Sequence, residues 1–421
     1  MAKKITFKNG LRLLLVPQEH SLASIVLILV EAGSEYETKR INGLSHFLEH
    51  LMFKGTKNRP HVGAISKELD SLGAQSNAFT GQEYTGYWAK AQYRNLDKIL
   101  DVVSDLYLNP LFNSEEIEKE RGVVIEEINM YEDMPMRRVH SLFAELVYGD
   151  QPAGWDIAGP KEVIRTVPRD KIMKYRAKHY VAPKTIVVVG GRFDEKKVIR
   201  AVTTLFGHLP RAPHVKKFSV RESQKIPAVL LKHKASDQSH LVLGVRAFDM
   251  FDTRRYALQL LADVLGGGMS SRLFHRIREV LGAAYYIRAE TDLSLDHGTL
   301  AVSAGVDHTK IQQVMVAVLD EMRRLTREIV PKDELQKSKD HLTGNFLMSL
   351  ETADELAGYY GGQEVLTRKL VSPSELVRRI QAVRAEAVQG VARALFTNSR
   401  LNLAVIGPYK NPAHFRKLLK F

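Results

Sequence analysis

The sequence predicts an α/β protein that consists of two homologous domains, and three observations support this prediction. Strand-like apolar runs alternate along the chain with stretches whose apolar residues follow a helical period. The length of 421 residues exceeds what a single hydrophobic core usually organises, so two or three domains are expected. A sequence pattern near residue 30 also recurs near residue 245. Duplication of one domain is the simplest explanation of these observations.

The strand predictions follow runs that are rich in β-branched and aliphatic residues and are bounded by turn residues. They cover residues 12–16, 25–30, 84–91, 185–189, 229–231, 241–245, 285–290, 299–304 and 401–405. The helix predictions follow apolar residues spaced three and four apart. They cover residues 43–52, 62–72, 94–108, 115–132, 136–147, 169–179, 256–265, 309–327, 332–348 and 385–395. Pro135 separates the long acidic helix from the next one, because a proline inside a helix breaks it.

The recurring pattern is a strand, a polar turn and the start of a helix. Residues 26–40 (VLILVEAGSEYETKR) match residues 241–255 (LVLGVRAFDMFDTRR) when they are shifted by 215 positions, so that Val30 falls on Val245. The shift is close to half the length of the chain, which favours the duplication of an α/β domain.

A linker is predicted between the two halves. The stretch 207–225 contains two prolines and many charged residues, and it has no sustained apolar period. We therefore expect an N-terminal domain over residues 1–212 and a C-terminal domain over residues 225–421, joined by a linker at residues 213–224.

The amino-acid composition limits the kinds of metal site that the chain can form. It contains no cysteine, which excludes disulfides and every zinc site built on thiolates. A metal must therefore be bound by His, Asp or Glu. The net charge of +13 comes from scattered Lys and Arg residues. Scattered charge is typical of a solvated surface, and no nucleic-acid-binding motif accompanies it.

The start of the chain does not resemble a signal peptide. Lys3 and Lys4 are present, but no apolar stretch of about 7–15 residues follows them. The apolar run at residues 25–30 has the length of a strand, and no segment approaches the roughly 18 apolar residues that span a bilayer. We therefore expect a cytoplasmic protein.

The sharpest functional feature is the motif HFLEH at residues 46–50. Residues four apart share one face of a helix, so His46 and His50 can bind one ion. A catalytic zinc takes three protein ligands and a water molecule whose pKa it lowers to about 7. Glu49 lies beside the two histidines, and its carboxylate can accept the proton of that water during attack on a carbonyl.

A long acidic helix at residues 115–131 (EEIEKERGVVIEEINMY) offers the third ligand. Glu120 and Glu127 are seven residues apart and therefore share a face. We expect Glu127 to bind the metal and Glu120 to orient a ligand from outside. A glutamate on such a helix is more often a solvated surface charge, and Glu126 is the neighbour most easily confused with Glu127.

The second copy of the repeat lacks these residues. The 215-residue shift places Leu261, Val264 and Leu265 where the first copy has two histidines and a glutamate. Apolar side chains cannot bind a metal, so one zinc per chain is expected.

These residues resemble the pitrilysin or insulinase family of zinc peptidases, in the short-chain branch near mitochondrial processing peptidase. The motif has the inverted order of the inverzincins. In this family a glutamate follows the last histidine by 77 residues, which from position 50 gives Glu127, and a further glutamate lies seven residues earlier, at Glu120. The resemblance covers nearly the whole chain. It implies two homologous duplicated domains of the α+β or α/β class, each a mainly antiparallel sheet with packed helices.

Residues 73–88 (GAQSNAFTGQEYTGYW) resemble the edge strand that lies beside the zinc in this family. An extended substrate would add to such a strand by backbone hydrogen bonds. The resemblance assigns substrate binding to Asn77, Ala78 and Phe79. The alternative is an ordinary strand with a turn at Gly81.

Two residues of the second half resemble a family pair spaced seven apart. Arg278 is expected to anchor the substrate backbone, and the Tyr285 hydroxyl to stabilise the oxyanion. The alternative is that both residues serve the fold alone, as the end of a helix and the start of a strand.

The resemblance implies a metalloendopeptidase that hydrolyses peptides or unfolded polypeptide segments inside a clamshell chamber. Glu49 would be the general base, with Glu120 and Tyr285 as further catalytic candidates and one Zn²⁺ per chain. A chain of this length implies a homodimer in which each active site is completed in trans. The alternatives are a non-catalytic subunit, a subunit that depends on a different partner chain, and a basic nucleic-acid-binding protein. The substrate and the metal used in the cell stay open at the level of sequence.

Overall fold

The computed structural model describes residues 2–213 and 215–421. The chain divides into two compact units. Unit 1 comprises Met1–Asn129, Asp156–Phe218 and Leu347–Ser372, and unit 2 comprises Met130–Trp155, Ser219–Phe346 and Pro373–Phe421. Residue 214, which belongs to the linker predicted at residues 213–224, lies outside the described residues.

The strands and helices follow one another along both units. The strands are β1 Lys3–Thr6, β2 Arg12–Pro17, β3 Ala23–Val30, β4 Gln75–Thr80, β5 Thr85–Gln92, β6 Thr185–Gly191, β7 Ala228–His233, β8 Ser239–Arg246, β9 Ala284–Leu293, β10 Gly298–Val306 and β11 Leu401–Gly407. The helices are α1 Leu44–Met52, α2 Ala64–Ser71, α3 Leu96–Leu108, α4 Ser114–Asp133, α5 Pro135–Tyr148, α6 Lys161–Thr166, α7 Arg169–His179, α8 Glu195–Phe206, α9 Arg255–Gly266, α10 Ile311–Arg327, α11 Lys332–Met348, α12 Ala353–Thr367, α13 Pro373–Gln381, α14 Ala385–Leu395 and α15 Ala413–Leu418. A π-helical turn covers Phe274–Val280.

The two sheets confirm the duplication. In unit 1 the strand order is β1-β2-β6-β3-β5-β4, and in unit 2 it is β7-β11-β8-β10-β9. β2 and β6 are parallel in unit 1, as are β7 and β11 in unit 2. The strands that come after these pairs in each strand order are antiparallel to their neighbours. The expected class, with two homologous α+β domains and mainly antiparallel sheets, is therefore confirmed.

The sheet of unit 1 is covered by helices on both faces, which explains the unbroken apolar sequence of β3. Alternate residues of a strand point to opposite faces of its sheet. Val26, Ile28 and Val30 contribute to the core that includes α1 and α3. Ile25 and Leu27 point the other way, into a core that is shared with α12. A strand buried on both faces needs apolar residues at every position.

The helix on this second face comes from the opposite half of the sequence. α12 contacts β2, β3 and β6 of unit 1, whereas α5 contacts β7, β8 and β11 of unit 2. The chain passes from unit 1 to unit 2 at Phe218 and Ser219, inside the predicted linker. Each half of the sequence thus supplies one helix that covers a face of the sheet in the other unit. The predicted domains were continuous in sequence and did not include this exchange.

Buried ion pairs fasten α12 to the sheet of unit 1. The Arg12 guanidinium lies 3.2 Å from the Glu364 carboxylate of α12 and 2.5 Å from that of Glu31. Lys4 Nζ lies 3.0 Å from the second carboxylate oxygen of Glu364. The Glu364 side chain is fully buried, so loss of its charge would leave the Arg12 and Lys4 charges less well compensated in a region of low dielectric constant.

We expect Glu364→Ala to lower the free energy of unfolding by about 3 kcal/mol, because removing one member of a buried ion pair leaves its partners poorly compensated. Urea denaturation followed by circular dichroism measures the change. Lys3→Met is the control, since it removes the exposed ion pair with Glu195 and should leave the midpoint near that of the wild type. Equal midpoints for the two variants would contradict this account of α12.

Candidate metal centre

The helix α1, which carries the HFLEH motif, is fixed at its N-terminus by a buried carboxylate. Glu37 accepts hydrogen bonds from the backbone N–H groups of Gly43, at 2.7 Å, and Ser45, at 2.5 Å. The first N–H groups of a helix have no partner within the helix, and a negative charge there is stabilising. Gly43 has φ +95°, and a Cβ at this position would lie 2.3 Å from the Ala158 carbonyl oxygen. Glycine is therefore required at this turn.

The buried face of α1 orients its polar side chains toward α4. Phe47, Leu48 and Leu51 are fully or almost fully buried in the core of unit 1. His46 and His50 lie one turn apart on the opposite side, with their ring centroids 4.7 Å apart. The sequence spacing thus produces the shared helical face that was predicted.

Two histidines and one glutamate converge as the sequence predicts. His46 Nε2 lies 3.6 Å and His50 Nε2 lies 3.2 Å from the same oxygen of Glu127. One ligand atom from each residue lies within 4.8 Å of the others. The three side chains are only 12%, 20% and 23% exposed, in the order His46, His50 and Glu127. Two imidazole nitrogens and one carboxylate oxygen are the donor set that a catalytic zinc takes, with a further position left open.

The environment of His46 favours the form that binds a metal. Burial, followed by the charge of neighbouring His50, lowers the pKa of His46 to about 4. A histidine must be neutral to act as a ligand. His46 is therefore available to a cation at neutral pH without first losing a proton.

Glu120 orients the second histidine. Its Oε1 lies 2.9 Å from His50 Nδ1, and its Oε2 lies 2.6 Å from Lys54 Nζ. A carboxylate at this position keeps the proton on Nδ1, so that Nε2 can face Glu127 and a metal. Burial lowers the pKa of His50, but the hydrogen bond to Glu120 and the nearby carboxylates raise it more. Glu120 thus contacts His50 and is not a member of the group formed by His46, His50 and Glu127.

Glu49 lies beside the ligand cluster and is held by the end of β4. The Thr80 hydroxyl donates a hydrogen bond of 2.5 Å to Glu49 Oε2. Burial raises the pKa of Glu49, although the bond from Thr80 acts in the opposite direction. A carboxylate with a raised pKa is a better proton acceptor than an ordinary surface glutamate. The geometry therefore fits the predicted general base.

The strand β4 forms the edge of the sheet of unit 1, next to α1. It pairs with β5, so that Asn77 lies opposite Trp88 and Ala78 opposite Tyr87. Within residues 2–213 and 215–421, no strand pairs with its other edge. The side chains of Asn77 and Phe79 are exposed, and Ala78 is half-buried. This open edge is the arrangement that strand addition requires.

The other two residues carried over from the resemblance lie in unit 2. Arg278 is exposed on the π-helical turn, with its guanidinium carbon 5.1 Å from the centre of the Phe274 ring. Tyr285 lies near the start of β9, and it is 74% exposed. Neither belongs to the unit that holds the histidines, and both side chains are accessible to solvent.

The second copy of the repeat is apolar where the first copy has His46, Glu49 and His50. Leu261, Val264 and Leu265 are at most 1% exposed and form part of the core of unit 2. The duplicated helix α9 is therefore held by packing on the side where α1 carries the candidate metal ligands His46 and His50.

Three residues of the site escaped sequence reasoning: Glu37, Lys54 and Thr80. Two of these residues act across segments that are distant in sequence, since Lys54 contacts a carboxylate 66 positions away and Thr80 one 31 positions away. Glu37 contacts the nearby residues Gly43 and Ser45. A weak signal was present for Thr80, which directly follows the predicted substrate-binding residues. For Glu37 and Lys54 the local sequence gives no comparable signal.

Comparison with known proteins identifies the family of the chain and supports its fold. The family described as "Insulinase (Peptidase family M16)" matches residues 12–161, and "Peptidase M16 inactive domain" matches residues 166–342. A Bacillus subtilis protein named uncharacterized zinc protease YmxG is 33% identical over 411 residues, 98% of this chain and 99% of the relative. A Streptomyces coelicolor protein that is also named an uncharacterized zinc protease is 33% identical over 97% of this chain and 90% of its own.

Solved structures share the fold. A protease from Helicobacter pylori aligns with a TM-score of 0.91 at 24% identity, over 97% of this chain and 99% of its own. A Pseudomonas fluorescens structure described as a peptidase M16 inactive domain aligns with a TM-score of 0.89 at 16% identity, over 97% and 98% of the two chains. The fold and site define a duplicated α+β protein with the donor set of a metallopeptidase. The chain belongs to peptidase family M16, the insulinase family.

The described part of the chain contains no helix that is both long enough and apolar enough to cross a membrane.

Glu127→Gln should weaken zinc binding by at least about 10-fold, because it replaces a charged ligand with a neutral amide. Equilibrium dialysis against buffered zinc measures the affinity. The matched control is Glu126→Gln on the same helix, whose exposed side chain contacts Asn129 rather than the histidines. If Glu126→Gln weakens binding as much as Glu127→Gln, the ligand assignment is wrong.

Proposed function

We propose that this chain is a zinc-dependent endopeptidase that hydrolyses peptides or unfolded polypeptide segments. The observation that carries this proposal is the convergence of His46, His50 and Glu127 with the half-buried carboxylate of Glu49 beside them. The family membership and the relatives that are named zinc proteases support it. We propose one zinc per chain.

The match to an inactive domain does not weaken the proposal. That match covers residues 166–342, which include the apolar counterparts Leu261, Val264 and Leu265. The residues of the metal centre, from His46 to Glu127, all lie within residues 12–161, which match the insulinase description. The absence of ligands from the second copy is therefore compatible with an active first copy.

Zinc, when bound, supplies a Lewis acid that polarises a carbonyl and makes water more acidic. Glu49 accepts a proton from the attacking water as the new C–O bond forms. It then donates that proton to the amide nitrogen as the C–N bond breaks, so that the carboxylate is restored. The Thr80 hydroxyl holds one oxygen of Glu49, which leaves the other oxygen for these proton transfers.

The substrate is proposed to add to β4 as a further strand. Backbone N–H and C=O groups along the open edge at Asn77, Ala78 and Phe79 would pair with an extended chain of any sequence. Phe79 packs over Gly86, where a Cβ would lie 2.4 Å from its ring. This packing stiffens the edge strand at the point where it approaches Glu49. An extended backbone is available in peptides and unfolded segments, which explains the proposed substrate class.

We also propose that Arg278 anchors the substrate backbone and that the Tyr285 hydroxyl stabilises the oxyanion, within a homodimer whose sites are completed in trans. Two exposed polar side chains on the metal-free unit support these roles. The proposal of trans completion rests on the family resemblance.

Glu49→Gln should lower the rate of peptide cleavage by about 10²- to 10⁴-fold, because the amide cannot accept the proton of water. Zinc content should stay at the wild-type level, since Glu49 lies outside the ligand set. Cleavage of quenched fluorescent peptides and elemental analysis measure the two quantities. Wild-type activity in this variant would show that Glu49 is not the base, whereas loss of zinc would make it a ligand.

Mixing Glu49→Gln chains with Tyr285→Phe chains tests trans completion. In a mixed dimer, one site would combine an intact Glu49 with an intact Tyr285, so part of the activity should return. Each variant measured alone is the control. Purified mixed dimers that recover no activity would contradict completion in trans and would leave the assignment of Glu49 unaffected.

A further inference from the structure

The structure points to a role for Lys54 that the motif does not specify. We propose that Lys54 is a positioning residue of the metal centre, which holds the Glu120 carboxylate so that His50 presents Nε2 to the zinc. This inference rests on the proposed zinc site, but it does not require that the chain cleave peptides.

Lys54 is placed by the helix that carries the histidines. It lies just beyond α1, where its backbone N–H donates to the Leu51 carbonyl at 3.2 Å. Its side chain is 28% exposed, and Nζ lies 2.6 Å from Glu120 Oε2. The lysine therefore reaches the centre from the end of α1, while Glu120 belongs to α4. The ion pair between Lys54 and Glu120 therefore links the end of α1, which carries His46 and His50, to α4, which carries Glu127.

The two oxygens of Glu120 have different partners. Oε1 bonds to His50 Nδ1 at 2.9 Å, and Oε2 bonds to Lys54 at 2.6 Å. The Glu120 side chain is only 5% exposed, so water cannot easily replace either partner. Without the lysine, the carboxylate would be free to rotate toward other donors, and the orientation of the His50 ring would become less well defined.

The charges of the centre give a second, independent argument. Glu49, Glu120 and Glu127 together carry three negative charges when ionised, and the two histidines bind a metal as neutral groups. A divalent cation leaves one negative charge among these five side chains, and the charge of Asp156 also acts on His46. The cation of Lys54 compensates this remainder, and uncompensated charge in a partly buried site is costly.

Arg121, a neighbouring cation on α4, does not compensate the charge of Glu120. Arg121 follows Glu120 in sequence, but its guanidinium donates to the carbonyl oxygens of Ile164, at 2.5 Å, and Val167, at 2.8 Å, and it pairs with Glu118. These contacts turn Arg121 toward the segment around α6. Lys54 therefore supplies the positive charge that Glu120 contacts.

The test compares zinc dissociation constants, measured by competition with a chromophoric chelator, for the wild type and four variants. Lys54→Met should weaken zinc binding by about 10-fold or more, which is typical of losing a partner that orients a ligand. Lys54→Arg keeps the charge and should recover most of the affinity. Glu120→Gln should weaken binding at least as much as Lys54→Met. The matched control is Lys119→Met, which removes a 2.6 Å ion pair with Glu116 on the same helix and should leave the dissociation constant unchanged.

Thermal unfolding of the metal-free chains separates positioning from general stabilisation. Lys54→Met should remain folded at the temperature of the binding assay, and any fall in the unfolding temperature of the metal-free chain should be too small to explain the weaker zinc binding. Two results would overturn the proposal. One is an unfolding temperature of Lys54→Met so low that partial unfolding explains its weaker zinc binding. The other is a zinc dissociation constant of Lys54→Met equal to that of the wild type. A wild type that binds no zinc would overturn both the metal centre and this role. A wild type that binds zinc but cleaves no peptide would refute the peptidase function alone, and the affinities would still decide the role of Lys54.

Discussion

Three carboxylates and two imidazoles share one partly buried space, and this concentration of negative charge is the constraint on which the rest of the site depends. Like charges at short range repel strongly where water is scarce. In the proposed site, a divalent cation bound by His46, His50 and Glu127 would relieve this repulsion and would leave Glu49 free to exchange protons. Helix α1 can hold such a group of polar residues because its opposite face is packed into the core and its N-terminus is fixed by Glu37.

The two copies of the repeat differ at the positions of the candidate metal site. The two sheets have equivalent strand orders apart from the additional strand β1 in unit 1. Helix α9 follows β8 and contacts β9, as α1 follows β3 and contacts β4. Leu261, Val264 and Leu265 make the corresponding face of α9 part of a core. The second copy packs this face into the core, whereas the first copy has polar side chains there that form the candidate metal site. The exchange of α5 and α12 means that neither half of the sequence completes its own sheet packing.

Many features that depend on neighbouring residues were predicted from the sequence, although the helices α6, α8, α13 and α15 were missed. The strands that face two cores, the histidine spacing on α1 and the glutamates on α4 all follow from a local period. Helix α12 was not predicted, because its apolar side chains serve a sheet built by the other half of the chain and show little periodicity of their own. Likewise, Lys54 and Thr80 act through contacts with Glu120 and Glu49 that form only in the folded chain. Long-range partners of this kind leave no local pattern.

The central claim is that this constellation binds zinc in order to cleave peptides. The most direct test measures the zinc content of the purified chain together with cleavage of quenched fluorescent peptides, before and after treatment with a chelator. We expect about one zinc per chain and cleavage that disappears on chelation and returns when zinc is restored. A chain that binds no zinc, or one whose peptide cleavage persists after complete removal of the metal, would contradict the claim.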